Sequence, residues 1–508
     1  MSRRKLRRRG VQIPVQEQLR LLDEEQAEAN RVFEERRALL LRQQANFLPT
    51  PTDIRAVPPE ILAETFSHLV NGDSRNLIFP SHVCRLWRDV ILRDAALWTC
   101  IHLGDHDKPA AVALRFLKTC IQRAHERPFS LFINDCKKIM SMSGFMNSLV
   151  VLAHASRWES LALTAEQIED CIVLIDGLPP SSIQTIKELS FLRLDGRTHS
   201  PLGEALPQKN LNLQRFAALK ALTINFPNRL SNTKETCSWN QLTDLKLSSG
   251  MRSIRFLAIL RHCASLNTCS ISLNSNFDKC DLEKSGRLAA KTCLPNLKKL
   301  ELVAEAAPSL LPTRLICPAL QEATFFYNFN SYYVASINDD LDDLDDDPGI
   351  KAKLEKFVQN CGKTLRKLQV PGAFYDGLGS CASKLENLEE LVVVGEFNNM
   401  EDDCTDQVVI RSQVRDFFRP LIVTDKKAYL PRLRTLRLLE QEPRAKEYIE
   451  DNLFQVVKSR MSETAGVVRL GRVVLKMDES SQRWQKLEAH RRGYREWENQ
   501  GLRVELDG

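Results

Sequence analysis

Over most of this chain a strand pattern keeps returning, and it constrains the fold more than any other feature. Short apolar segments with period-two alternation begin at Phe129 (FSLFI), Trp158 (WESLAL), Ile186 (IKELSFLRL), Leu219 (LKALTINF) and Gln241 (QLTDLKL). They continue at Asn267 (NTCSISL), Pro295 (PNLKKLEL), Leu320 (LQEATFF), Thr364 (TLRKLQV), Leu385 (LENLEELVVV), Leu433 (LRTLRL), Val467 (VVRLGRVVLKM) and Arg503 (RVEL). Their central residues Leu131, Leu161, Leu189, Leu222 and Leu245 stand 30, 28, 33 and 23 residues apart. Later, Leu300, Ala323, Leu368, Leu391 and Leu436 stand 23, 45, 23 and 45 apart. Helical spacing fills several gaps. Phe256, Ile259, Leu260 and Cys263 share one helix face, as do Leu354, Phe357, Val358 and Cys361, and again Ile449, Leu453, Val456 and Val457.

One strand plus one helix every 23 to 33 residues is the period of a leucine-rich-repeat-like solenoid. Such a unit buries its apolar face only against its neighbours. The expected fold class over residues 102–508 is therefore an α/β repeat of this kind. A doubly wound α/β sheet also alternates strand and helix, but about a dozen strands and a recurrent L-x-x-L-x-L core favour the solenoid. The Asn usual after the strand is missing, since LKLSSG has Ser248 and Ser249 and LELVAE has Val303 and Ala304. The two 45-residue intervals predict insertions near 327–349 and 396–429, and long insertions in an array map to loops that often carry contacts. The first holds DDLDDLDDDPG, with seven Asp among residues 339–347. Counted from Asp343, the sixth residue is Pro348, where a calcium loop needs Gly, so the run reads as a solvated acidic loop.

Motifs for chemistry are missing. The sequence has no GxxxxGK[ST], HExxH or GxSxG. GLGSCA at Gly377 lacks the third glycine of a dinucleotide loop and reads as a turn. The 14 cysteines include no CxxC, and His262, Cys263, Cys269 and Cys280 match no zinc spacing. Buried free thiols in a reducing compartment is the better reading, placing the chain in the cytoplasm, the nucleus or both. No catalytic residue, metal ligand or cofactor is expected. No run of about eighteen apolar residues would span a membrane, and no apolar leader core follows the basic amino end.

The net charge of +6 sits in one place. Arg3, Arg4, Lys5, Arg7, Arg8 and Arg9 precede the first acid, and residues 10–508 carry as many anions as cations. Nucleic acid is thus an unfavoured partner for the body, while residues 1–14 read as a disordered tail that is a nuclear import signal, a nucleic-acid contact or a solvated tip. Residues 15–48 predict one helix, with Val15, Leu19, Leu22, Gln26, Ala29, Phe33, Arg36 and Leu40 on a 4-3-4-3 seam. A coiled coil or a helix packed on the following domain would each use that seam. Pro49 and Pro51 end it.

Residues 55–101 read as a compact helical block. VPPEILAETFSHLV opens a helix at two prolines, with Ile61, Leu62, Phe66 and Leu69 on one face. FPSHVCRLWRDVIL follows a turn at Asn71-Gly72-Asp73, and Leu97-Trp98 closes the block. About 45 residues is near the limit for folding alone, and the block holds more large apolar groups than such a bundle can hide. The order VPPEIL, HVCRLWRDV and LW resembles an F-box, most of all the F-box proteins of mushroom-forming fungi. Those tend to carry a helix before the box and degenerate leucine-rich repeats behind it. Two positions depart from that pattern: Val57 replaces the usual leading Leu, and Thr65 stands where a branched aliphatic is common.

The resemblance implies a substrate-recruiting adaptor of a cullin–RING (SCF) ubiquitin ligase, not an enzyme. Val57, Pro58, Ile61, Leu62, Phe66, Leu69, Val83, Cys84 and Trp87 would bind the Skp-type linker and, through it, cullin. The repeats would hold an unknown protein substrate. Trp87 could serve the interface or the block's own core, and Leu97, Trp98 and Ile101 could instead cap the solenoid. An F-box scaffold or a nuclear interaction protein acting outside the ligase is the alternative.

Overall fold

Fourteen strands lie side by side in the order in which the chain makes them, every neighbouring pair parallel. The computed structural model describes residues 15–47, 57–70, 72–104, 110–141, 144–154, 157–194, 212–226, 239–251, 253–273, 291–304, 311–327, 350–372, 375–395, 407–424, 428–441, 446–462, 466–477 and 494–507. The expected tail at 1–14, the acidic run at 339–347 and residues 396–406 lie outside these. The chain divides into two compact units. One comprises residues up to 71 together with 76–97, and the other comprises 72–75 and everything from Trp98 onward.

In the second unit the strands are β1 (Cys100–Leu103), β2 (Phe129–Ile133), β3 (Trp158–Ala165), β4 (Glu188–Arg193), β5 (Ala221–Ile224), β6 (Asp244–Met251), β7 (Thr268–Leu273) and β8 (Thr292–Cys293). They continue with β9 (Lys299–Ala304), β10 (Leu315–Ile316), β11 (Glu322–Tyr327), β12 (Lys367–Pro371), β13 (Glu390–Val394), β14 (Thr435–Gln441), β15 (Arg472–Met477) and β16 (Arg503–Asp507). β8 and β10 form a separate two-stranded parallel pair. The others make the main sheet without a reversal of order. A doubly wound sheet reverses direction at a switch point, so the architecture is a solenoid-like α/β repeat.

Register explains why the leucines recur. Ile101, Leu131, Leu161, Leu189, Leu222 and Leu245 are directly paired from strand to strand. The column runs on through Cys269, Leu300, Ala323, Leu368, Leu391, Leu436 and Val473. All of these are buried. Two residues further along lies a second buried column, from Ile133 and Leu163 through Phe191, Phe325 and Val393 to Leu475. Since strand side chains alternate between faces, both columns point to one face of the sheet. Helices at Ser253–Leu260, Ile350–Cys361 and Lys446–Met461 present their periodic apolar residues, all buried. Between the columns, Ser190, Thr223, Lys246 and Gln369 remain at least partly open, while Ala162, Val392 and Val474 are buried there too.

Three local readings change. GLGSCA is not a turn: Gly377 lies in the helix Tyr375–Cys381, where a Cβ would stand 3.2 Å from Leu354 Cδ2, so glycine permits close approach to the helix Ile350–Cys361. The span 396–429 is not wholly a loop. Its residues Gln407–Phe418 form a helix that touches the helices on either side and serves as its repeat's own helix. Trp98 and Ile101 belong to the repeat unit, Trp98 with the Arg123 guanidinium 4.3 Å above its ring and Ile101 as the first member of the buried column.

Polar side chains tie the turns leading into the strands. Thr185 Oγ1 donates to the Trp158 carbonyl (2.9 Å), Gln241 Nε2 to Phe216 (3.0 Å), Asn296 Nδ2 to Ala264 (3.0 Å) and Asn387 Nδ2 to Lys363 (2.6 Å). These bonds stand before the strands, where turn carbonyls need donors.

Candidate partner-docking surface

The first unit contains α1 (Val15–Phe47), α2 (Pro59–Val70), α3 (Ile78–Ser81) and α4 (Arg85–Arg93). α2 starts where expected: Pro59 occupies the first helical position, and Glu60 complements the positive helix end. The Pro58 carbonyl accepts from the Ile61 and Leu62 amides at 3.1 and 3.2 Å. At the other end Asn76 Nδ2 donates to the Val70 carbonyl at 3.1 Å. α4 is capped by a thiol: Cys84 is extended, and its Sγ accepts the Trp87 amide at 3.5 Å. Arg88 Nε donates to the Ser81 carbonyl at 2.9 Å and ties α4 to α3.

These helices sort the expected contact residues into two sets. Leu62, Phe66 and Val70, one turn apart, are buried. Phe66 meets the edge of Trp87 with ring centroids 5.1 Å apart. Trp87 is half-buried, and its indole N–H finds no acceptor among the described residues. Val57 and Cys84 are also half-buried, and Pro58 is exposed. Ile61 and Leu69 face outward at 57% and 48% exposure, and Val83 is 62% exposed. Thr65 lies between Ile61 and Leu69 on the same stripe and donates to the Ile61 carbonyl at 2.8 Å, so its hydroxyl is satisfied within the helix.

Ile78 and Leu92 belong to the block's surplus of apolar groups but not to the expected linker contacts, and Phe79 to neither; the three are exposed at 44%, 39% and 83%. Their signal was present: the run Leu77-Ile78-Phe79 is too apolar for a connector. Of thirteen exposed large apolar side chains among the described residues, six fall between 61 and 92, and only three fall from residue 98 onward. Exposed apolar side chains are thus denser on these helices than on the described residues of the repeat unit. α1 carries the remaining four, Leu22, Val32, Phe33 and Leu39.

The open face of the main sheet differs along its length. β2 to β5 present Ser130, Ser160, Ser190 and Thr223 there. From β9 onward the face carries cross-strand ion pairs: Lys299–Glu322 at 3.6 Å, Lys367–Glu390 at 3.1 Å, Arg437–Glu390 at 3.7 Å and Arg472–Glu505 at 2.8 Å. The Arg472 hydrogen bond holds the Glu505 carboxyl below the usual range.

Eight of the eleven described cysteines are buried. Burial pushes the Cys120 and Cys381 thiols up to about 12, so both stay protonated and act as small apolar groups. Among the described residues no three His, Cys, Asp or Glu side chains converge as metal ligands, and no helix is long and apolar enough to cross a membrane. Compared with protein-family models and with curated proteins, the sequence matches none.

Proposed function

We propose that this chain is a recruiting adaptor: the helical block docks on the Skp-type linker of a cullin–RING ubiquitin ligase, and the repeat unit holds a protein substrate. The observation that carries the reading is the apolar surface of Ile61, Leu69, Ile78, Phe79, Val83 and Leu92 on a block of about forty residues. Fully burying one such side chain contributes about 1.5–3 kcal/mol. Six half-exposed ones offer enough gain to offset part of the ~4–15 kcal/mol that association costs. The F-box-like order of VPPEIL, HVCRLWRDV and LW supplies the partner's identity. Leu62, Phe66 and Trp87 act beneath that surface by holding α2 against α4. The adaptor works by proximity, raising the substrate's effective concentration at the ubiquitin carrier.

The test is co-purification with a folded Skp-type linker. Ile61→Ala, Phe79→Ala and Val83→Ala change exposed positions and leave the core of the block in place. Together they are expected to weaken binding at least tenfold, about 1.4 kcal/mol. Absence of binding by the intact chain sinks the proposal. Cullin in the same complex separates a ligase component from a scaffold that uses the linker alone.

A further inference from the structure

A cavity of about 270 Å³ opens among the turns that lead into β11, β12, β13 and β14. It is lined by Ala319, Gln321, Lys363, Thr364, Arg366, Asn387 and Arg432. Register builds it. Leu320, Leu365, Leu388 and Leu433 are the buried leucines at the same place in four successive repeats. Ala319, Thr364, Asn387 and Arg432 immediately precede them, and Gln321 and Arg366 follow two of them. Three cations from two adjoining segments, 362–366 and 431–433, thus meet at one opening, and no carboxylate lines it.

The neutralising groups are few. Among the described residues Lys363 and Arg432 form no ion pair, and Arg366 Nη1 lies 3.8 Å from Glu389, an exposed contact. The Asn387 amide is spent on the Lys363 carbonyl at 2.6 Å, which fixes the turn that carries Lys363. Thr364 Oγ1 donates to Cys361 at 3.4 Å and fixes the same turn from the other side. The Gln321 side chain is left as a neutral donor. Two guanidinium forks, one ammonium and one amide around a concave opening are a donor set for an anion with several acceptor oxygens.

We propose that this cavity binds a tetrahedral oxyanion of the phosphate class, free or as a monoester. The site lies in the repeat unit, and its argument does not depend on the linker-docking reading. Two guanidinium groups can each span two oxygens of a phosphate, while Lys363 adds a point charge. Unoccupied, the three cations repel one another, so an anion should also stabilise these repeats.

The test is titration calorimetry of the full chain with inorganic phosphate and, separately, with O-phosphoserine, at low ionic strength. One saturable site is expected. Lys363→Gln with Arg432→Gln should weaken it at least tenfold, and Lys363→Arg with Arg432→Lys should retain it. Lys220→Gln, an equivalent exposed turn cation outside the cavity, should leave it unchanged. Retained circular dichroism in each variant shows that the repeats are intact. Binding of O-phosphoserine at the same site assigns an esterified phosphate, and binding of inorganic phosphate alone assigns the free ion. Absence of saturable binding, or equal loss in Lys220→Gln, overturns the proposal.

Discussion

Arg460 reaches three carbonyls from inside the repeat unit. Nε donates to Leu421 at 2.8 Å, Nη1 to Leu430 at 3.1 Å and Nη2 to Tyr429 at 2.8 Å. The side chain is 1% exposed, and burial brings its guanidinium down to about 10, so it is still charged at neutral pH. Losing these donors strands buried acceptors, each worth about 1–3 kcal/mol, offset by removal of a desolvated charge. Arg460→Met is expected to cost on the order of 2–4 kcal/mol and to speed amide exchange over 419–461. Unchanged exchange there would show that the carbonyls find other donors. His102 responds to pH. Its ring stacks on Phe132 with centroids 4.2 Å apart, and its Nε2 is buried beside the Gly72 backbone, which opposes the effect of burial only weakly. Burial lowers its pKa below the ordinary 6.5, Arg75 adds to that, and Asp73 opposes it. The neutral ring is therefore favoured by the fold, so this contribution is full above about 6.5 and is lost as the pH falls through the lowered folded value. His102→Phe should flatten the fall in thermal midpoint between neutral pH and pH 5. A slope identical to that of the parent protein contradicts the assignment.

At the scale of elements, hydrophobic period two was enough to locate thirteen of the main-sheet strands, because inward-facing apolar residues two apart recur from strand to strand. β1 escaped notice. Cys100-Ile101-His102-Leu103 is four residues long and follows Trp98 directly, so it reads as the tail of the helical block. β8 and β10, two residues each, carry no period at all. The ladder of Thr185, Gln241, Asn296 and Asn387 was illegible for another reason: four different side chains do one job, so no single letter repeats. Which side of the helical block each apolar residue faces was not legible in the sequence, since burial of Leu62 and exposure of Ile61 depend on how α2 meets α4. β1 also ends on a backbone that only glycine accepts. Gly104 has φ +124, and a Cβ there would stand 2.4 Å from the Asn134 carbonyl oxygen. Gly104→Ala should destabilise the β1–β2 edge by roughly 1–3 kcal/mol, read as faster exchange at the Ser130 and Asn134 amides, which bond back to Thr99 and Leu103.

Across the whole molecule, the repeat unit has no centre. Each strand of the main sheet bonds only to the strand before and the strand after it, so damage at one rung is felt by its neighbours and fades beyond them. Leu368→Ala, in the middle of the buried column, is expected to cost about 2–5 kcal/mol. Exchange should quicken over β11 to β13 first, with residues 59–70 and 76–93 unaffected because they belong to the other compact unit. Uniform loss of protection across all fourteen strands would show a single cooperative block instead. The strictly sequential strand order also bears on birth. A chain leaving the ribosome amino end first can set each new segment on one already in place, waiting only some 23 to 45 residues rather than for a distant partner. Loops closed over so short a span carry a small entropic penalty. At each step the newest strand would be the sole uncovered edge at its end of the growing sheet.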